Sequence, residues 1–93
     1  MSYIVELVIL PKKDILDPQG NAVGDALRKI GYDTNRIRVG KYMKYNSNKE
    51  NEEEVRAEVN DITKALISRG IIEFNTQTCQ IHSLTKLEDK FAS

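Results

Sequence analysis

Residues 3–10, Tyr-Ile-Val-Glu-Leu-Val-Ile-Leu, constrain the fold of this chain more than any other stretch. The run is dominated by β-branched and aliphatic residues and ends at Pro11, which has no N–H to donate, so it reads as a strand. Side chains alternate across a strand. Tyr3, Val5, Leu7 and Ile9 therefore share one face, and Ile4, Glu6, Val8 and Leu10 share the other. Both faces are mainly apolar, the pattern of a strand covered on two sides. A chain of 93 residues supports one core, and it hides only about two-thirds of the surface that its unfolded form exposes. Such a chain has too little material to cover both faces itself. Burial against a second copy or another protein is the expectation.

After the polar turn at residues 11–14, Asp17 is placed to cap a helix and Pro18 fits the first helical position, where no N–H is needed. Val23, Ala26, Leu27 and Ile30 recur at helical spacing, and Gly31 supplies the stop. Gly20 and Gly24 each cost such a helix about 1 kcal/mol relative to alanine, which implies that another backbone comes close on that side. A second strand is expected from Arg36 to Tyr45, with Gly40 marking a bulge or bend. The residues leave open whether it is one bent strand or two short ones.

The polar loop 46–51 leads into a long helix. Glu52, Glu53 and Glu54 sit at the positive end of its dipole, Val55, Val59, Ile62 and Leu66 form its core stripe, and Arg69 and Gly70 close it. Strand character resumes over residues 71–81. The expected order is β-α-β(β)-α-β: an α+β domain over residues 1–82, with two helices on one face of an antiparallel sheet. Residues 83–93 are expected to form a C-terminal tail that frays or adds a loose amphipathic turn.

Composition narrows the function classes. Basic and acidic side chains balance at 14 each, so there is no whole-molecule field to attract nucleic acid or anionic lipid. The one cysteine, Cys79, forms no internal disulfide, which fits a reducing compartment. The N-terminal apolar run is too short for a membrane span and lacks the features of a signal peptide. A cytoplasmic chain is the expectation.

The chemistry-bearing residues do not converge in sequence. His82 and Cys79 lie three apart on a strand and point to opposite faces, so they read as a surface imidazole and a buried thiol. The acidic run from Glu50 to Glu54 is explained by its place at a helix start. Gly20 and Gly24 lie inside a helix and lack the rest of a phosphate-binding fingerprint. Arg36, Arg38 and Lys44, with Tyr42 between them, form a basic stripe on one strand face. It reads as a solvated or protein-binding face ahead of an RNA-binding one. No catalytic or metal residue is assigned.

Two segments together carry a family resemblance. Ile15-Leu16-Asp17-Pro18-Gln19-Gly20 is followed by Ala22-Val23, Ala26-Leu27 and Gly31-Tyr32, and then by Ile37-Arg38-Val39-Gly40-Lys41-Tyr42. In order and spacing, across about residues 3–82, this resembles the PurS subunits of phosphoribosylformylglycinamidine (FGAM) synthase. The resemblance implies a ferredoxin-like, oligomeric fold (a homodimer, or a tetramer) and a small non-catalytic subunit. It implies a large ATP-using synthetase subunit and a glutaminase subunit as partners, with ammonia passed internally between them. ATP and magnesium are then expected on the large subunit and no cofactor in this chain. Asp17, Pro18, Gln19, Gly20, Arg38, Gly40, Lys41 and Tyr42 are the expected contact surface. Two readings stay open beside it: a small-molecule-binding regulatory α+β dimer and an RNA-binding module.

Overall fold

The structure is a computed structural model and describes residues 2–13 and 15–87. Five elements follow one another: β1 (Ser2–Pro11), α1 (Pro18–Lys29), β2 (Lys41–Ser47), α2 (Glu52–Ser68) and β3 (Gln77–Leu87). β1 lies between β2 and β3 and is antiparallel to both. The two outer strands therefore run parallel to each other, and α2 is the crossover that joins them over β1, a split β-α-β unit.

Connectivity explains why the helices are buried unequally. A crossover has to traverse the sheet face, and α2 packs Val55 and Val59 against Tyr3, Val5 and Leu7. The other helix only links the ends of two antiparallel neighbours, and its buried residues are the two glycines, Gly20 and Gly24. The architecture is α+β and ferredoxin-like, with two helices on a three-stranded antiparallel sheet. Val5, Leu7, Ile9 and Val55 are almost completely buried, and each contributes about 1.5–3 kcal/mol. On the opposite face Ile4, Val8 and Leu10 are only half-buried. That is where the two-faced pattern of the first strand leaves apolar surface over.

Three expected boundaries are corrected. The second strand begins at Lys41, not Arg36. Arg36 adopts a left-handed φ of 55°, and the Val39 N–H is donated to Asp17, so this segment's polar groups are spent outside the ladder. The third strand begins at Gln77, not Ile71. The Ile71 and Ile72 N–H groups both bond the Leu66 carbonyl and close α2 beyond Gly70, and the Ile72 side chain is buried. An apolar run that looks like a strand is thus a helix stop.

The third correction concerns the tail. Ser83–Leu87 belong to β3, where Leu84 pairs with Val5 and Leu87 with Ser2. The register shifts between Glu6 and Leu7, whose partners are Ser83 and Ile81, so His82 is the extra residue of a β-bulge. The bulge reverses the alternation of faces, which brings Cys79, Ile81 and Leu84 all against the core. The odd spacing of Ile81 and Leu84 made the strand look finished. The remainder of the expected tail lies outside the described residues.

Candidate functional site

The two motif segments meet at one junction. Asp17 caps α1 through Oδ1, which accepts the Gly20 N–H at 3.0 Å. Its other oxygen, Oδ2, accepts the Val39 N–H at 3.1 Å from the segment before β2. One carboxylate thus ties the first turn of a helix to a chain segment 22 residues away. Both contacts favour the charged form, the Gly20 bond most and the Val39 bond next, with the Arg38 charge adding to them, and they hold this carboxyl below its ordinary value. A general base poised near neutrality needs the opposite shift. Asp17 is a clasp.

The glycines of the two motifs close the same junction. A Cβ on Gly20 would lie 2.3 Å from the Ile37 carbonyl oxygen, and a Cβ on Gly40 would lie 2.0 Å from that of Ile9. The expected close backbone approach is therefore present at Gly20. At Gly24 the expectation is corrected: the neighbour is the Arg28 guanidinium, 3.1 Å from a would-be Cβ. That guanidinium also bonds Asp25 and the Thr34 carbonyl. Arg38 completes the junction by donating to the Pro11 carbonyl at 2.9 Å. The end of β1, the start of α1 and residues 36–40 are held together by two side chains, Asp17 and Arg38, that bond backbone groups, and by close backbone approach at the two glycines.

Pro18 and Gln19 are exposed on the first turn above this junction, and Lys41 is exposed at the start of β2. Tyr42 stands apart on the open sheet face, where its hydroxyl donates to Glu6 at 2.5 Å. This bond holds the phenol proton, so the Tyr42 pKa rises. The structure therefore gathers Asp17, Gly20, Arg38 and Gly40, and leaves Tyr42 on a different surface. The basic stripe is not continuous either, because Arg36 and Arg38 precede the strand and only Tyr42 and Lys44 lie on it. Sequence reading missed Val39, Ile37 and Ile9, whose contribution is a backbone N–H or carbonyl and leaves no side-chain signal.

Beside the clasp lies an open cleft of about 640 Å³. Lys13, Arg36 and Arg38 edge it, and Ile15, Leu16 and Ile37 supply its apolar lining. Elsewhere several of the candidate groups are engaged locally. Glu52 pairs with Arg56, and Asn51 caps α2 while its amide bonds Glu54. Tyr45 donates to Glu58 at 2.9 Å, linking β2 to α2; burial first, and then this carboxylate, raise its pKa. Cys79 pairs with Ile9 on the core face, and His82 is exposed at the bulge.

The clasp has a measurable signature. Asp17→Ala removes a cap and an inter-segment bond together and is expected to lower Tm at neutral pH by about 5–10 °C. A depressed carboxylate stabilises the fold above its unfolded value and loses that contribution as pH falls through the folded one. The difference between the two proteins should therefore close below about pH 4. A difference that persists unchanged in thermal melts at low pH contradicts the assignment.

Comparison with known proteins gives the family of the chain and the fold that it shares. The family model PurS, described as phosphoribosylformylglycinamidine (FGAM) synthase, matches residues 4–80. The chain is 32% identical over 72 residues to the Bacillus subtilis (strain 168) phosphoribosylformylglycinamidine synthase subunit PurS, covering 76% of this chain and 84% of that one. The Synechocystis subunit of the same name is 27% identical over 73 residues, covering 77% of this chain and 73% of its own length. Among solved structures, Thermus thermophilus PurS superposes with a TM-score of 0.78 at 28% identity, covering 95% of this chain and 100% of that chain.

Proposed function

The chain belongs to the PurS family of phosphoribosylformylglycinamidine synthase, and from that premise we propose that it is the assembly's non-catalytic adaptor. It is a PurS-type subunit of FGAM synthase in purine biosynthesis, a role that family membership supports over the regulatory and RNA-binding readings. In the proposed role it docks on a large synthetase subunit and a glutaminase subunit and keeps them in a geometry that passes ammonia internally. ATP and magnesium belong to the large subunit in this reading. The chain acts in the cytoplasm, and no described helix is long and apolar enough to cross a membrane.

One observation carries the adaptor reading. Leu16 before α1 and Ile30 at its end are 76% and 71% exposed, and Val23 within the helix and Tyr32 beyond it are exposed as well. An apolar set of this kind marks a surface built to be covered. Self-association, as a dimer or tetramer, covers part of it in this proposal, and the partner subunits cover the rest. Asp17, Pro18, Gln19, Gly20, Arg38, Gly40 and Lys41 shape one contact region, and Tyr42 contributes to another on the open sheet face.

Light scattering tests this directly. The purified chain is expected to run as a homo-oligomer and to form a larger species when mixed with both partner subunits. A chain that remains monomeric and leaves the partners' masses unchanged would remove the adaptor role.

A further inference from the structure

We propose that the cleft beside the Asp17 clasp is a docking groove for a partner-subunit segment that carries carboxylates next to aliphatic side chains. The inference rests on the adaptor reading and says where and how the contact is made. The chain as a whole is neutral, so three cations around one cleft are a local concentration of charge. Among the described residues one carboxylate lines the cleft, Asp17, and it is already bonded to two backbone N–H groups. The ion pairs among the described residues are Arg28–Asp25 and Arg56–Glu52, so neither Lys13 nor Arg36 is paired there. An acidic partner supplies the missing charge.

The apolar part of the lining decides between occupants. Leu16 is 76% exposed and Ile15 38% exposed, and a cationic rim around aliphatic contacts is the anatomy of a protein interface. A free phosphoryl group has no use for those side chains. It is recognised by unoccupied N–H groups at a helix start, and here Asp17 already accepts the Gly20 N–H. The clasp also fixes both walls, the first turn of α1 and residues 36–38, before anything binds. A preformed groove loses less conformational freedom on association.

The test uses the full chain with both partner subunits and measures the dissociation constant of assembly across a salt series. Lys13→Glu combined with Arg36→Glu is expected to weaken assembly at least about tenfold and to flatten its salt dependence. Leu16→Ala is expected to weaken it several-fold with the salt dependence kept. All three positions are exposed, and thermal melts of the isolated variants check that the fold is retained. Wild-type affinity in both variants overturns the groove while leaving the adaptor role standing; failure of the wild-type chain to assemble overturns both. Inorganic phosphate is expected to release the partner no better than chloride at matched ionic strength. Selective release by phosphate assigns the cleft to a phosphoryl group and also overturns the proposal.

Discussion

Gly40→Ala is expected to destabilise the chain by about 3 kcal/mol or more, a fall of roughly 15 °C in Tm. The added Cβ meets the Ile9 carbonyl oxygen at 2.0 Å, the Leu10 side chain at 2.8 Å and the Ile9 carbonyl carbon at 3.0 Å. The obstacle is the backbone of the central strand. Ile9 is in register with Lys41 on one side and Cys79 on the other, so it cannot retreat without disturbing both ladders. Limiting the unfolded chain returns only about 0.4–1 kcal/mol, and the clash dominates. Gly40 is not one of the glycines held at positive φ, which are Gly31 and Gly70. It is needed for space, and denaturant unfolding of the variant measures how much.

The second large effect is Gly20→Ala, which gains meaning beside Gly24→Ala. Both glycines lie inside α1, where alanine is favoured by about 1 kcal/mol on helix propensity alone. At Gly20 the new methyl would sit 2.3 Å from the Ile37 carbonyl and 2.5 Å from Asp17 Oδ2. It pushes apart the two segments that the clasp joins, and the overpacking cost of about 1–3 kcal/mol outweighs the propensity gain. At Gly24 the nearest atom is the end of the Arg28 side chain, which swings away cheaply. The expected result is opposite signs: lower Tm for Gly20→Ala and higher Tm for Gly24→Ala. Thermal melts giving the same sign for both contradict the claim that the motif glycine is there for the junction.

These two glycines also show how far the sequence could be read. A helix carrying the propensity cost of Gly20 and Gly24 signals that something comes close, and at Gly20 that something is indeed backbone. Which segment it is depends on a fold that brings Ile37 back past the first turn, and no local pattern contains that. The Asp17 cap, the stripe through Val55 and Val59, and the two-faced first strand were legible because each is periodic or local. The β3 boundary was not, because the His82 bulge reverses the period that strand reading depends on. The start of β2 is hidden for a related reason: the Arg36–Val39 segment is apolar and basic by turns like a strand, yet its N–H at Val39 serves a carboxylate. The cleft was the least legible feature. Its cations come from two separate segments, Lys13 on one side and Arg36 and Arg38 on the other, and only the clasp makes them neighbours.

Both motifs, then, build a junction and the surfaces around it, and the groups within it are committed to holding backbone together. The central claim is that this chain couples two catalysts without contributing a reacting group. It is tested most directly by product formation from the synthetase and glutaminase subunits, with and without this chain, using glutamine or ammonium chloride as the nitrogen donor. Omitting the chain is predicted to lower the glutamine-driven rate by about tenfold or more while the ammonium-driven rate is largely kept. A glutamine-driven rate that is unchanged by omission would contradict it.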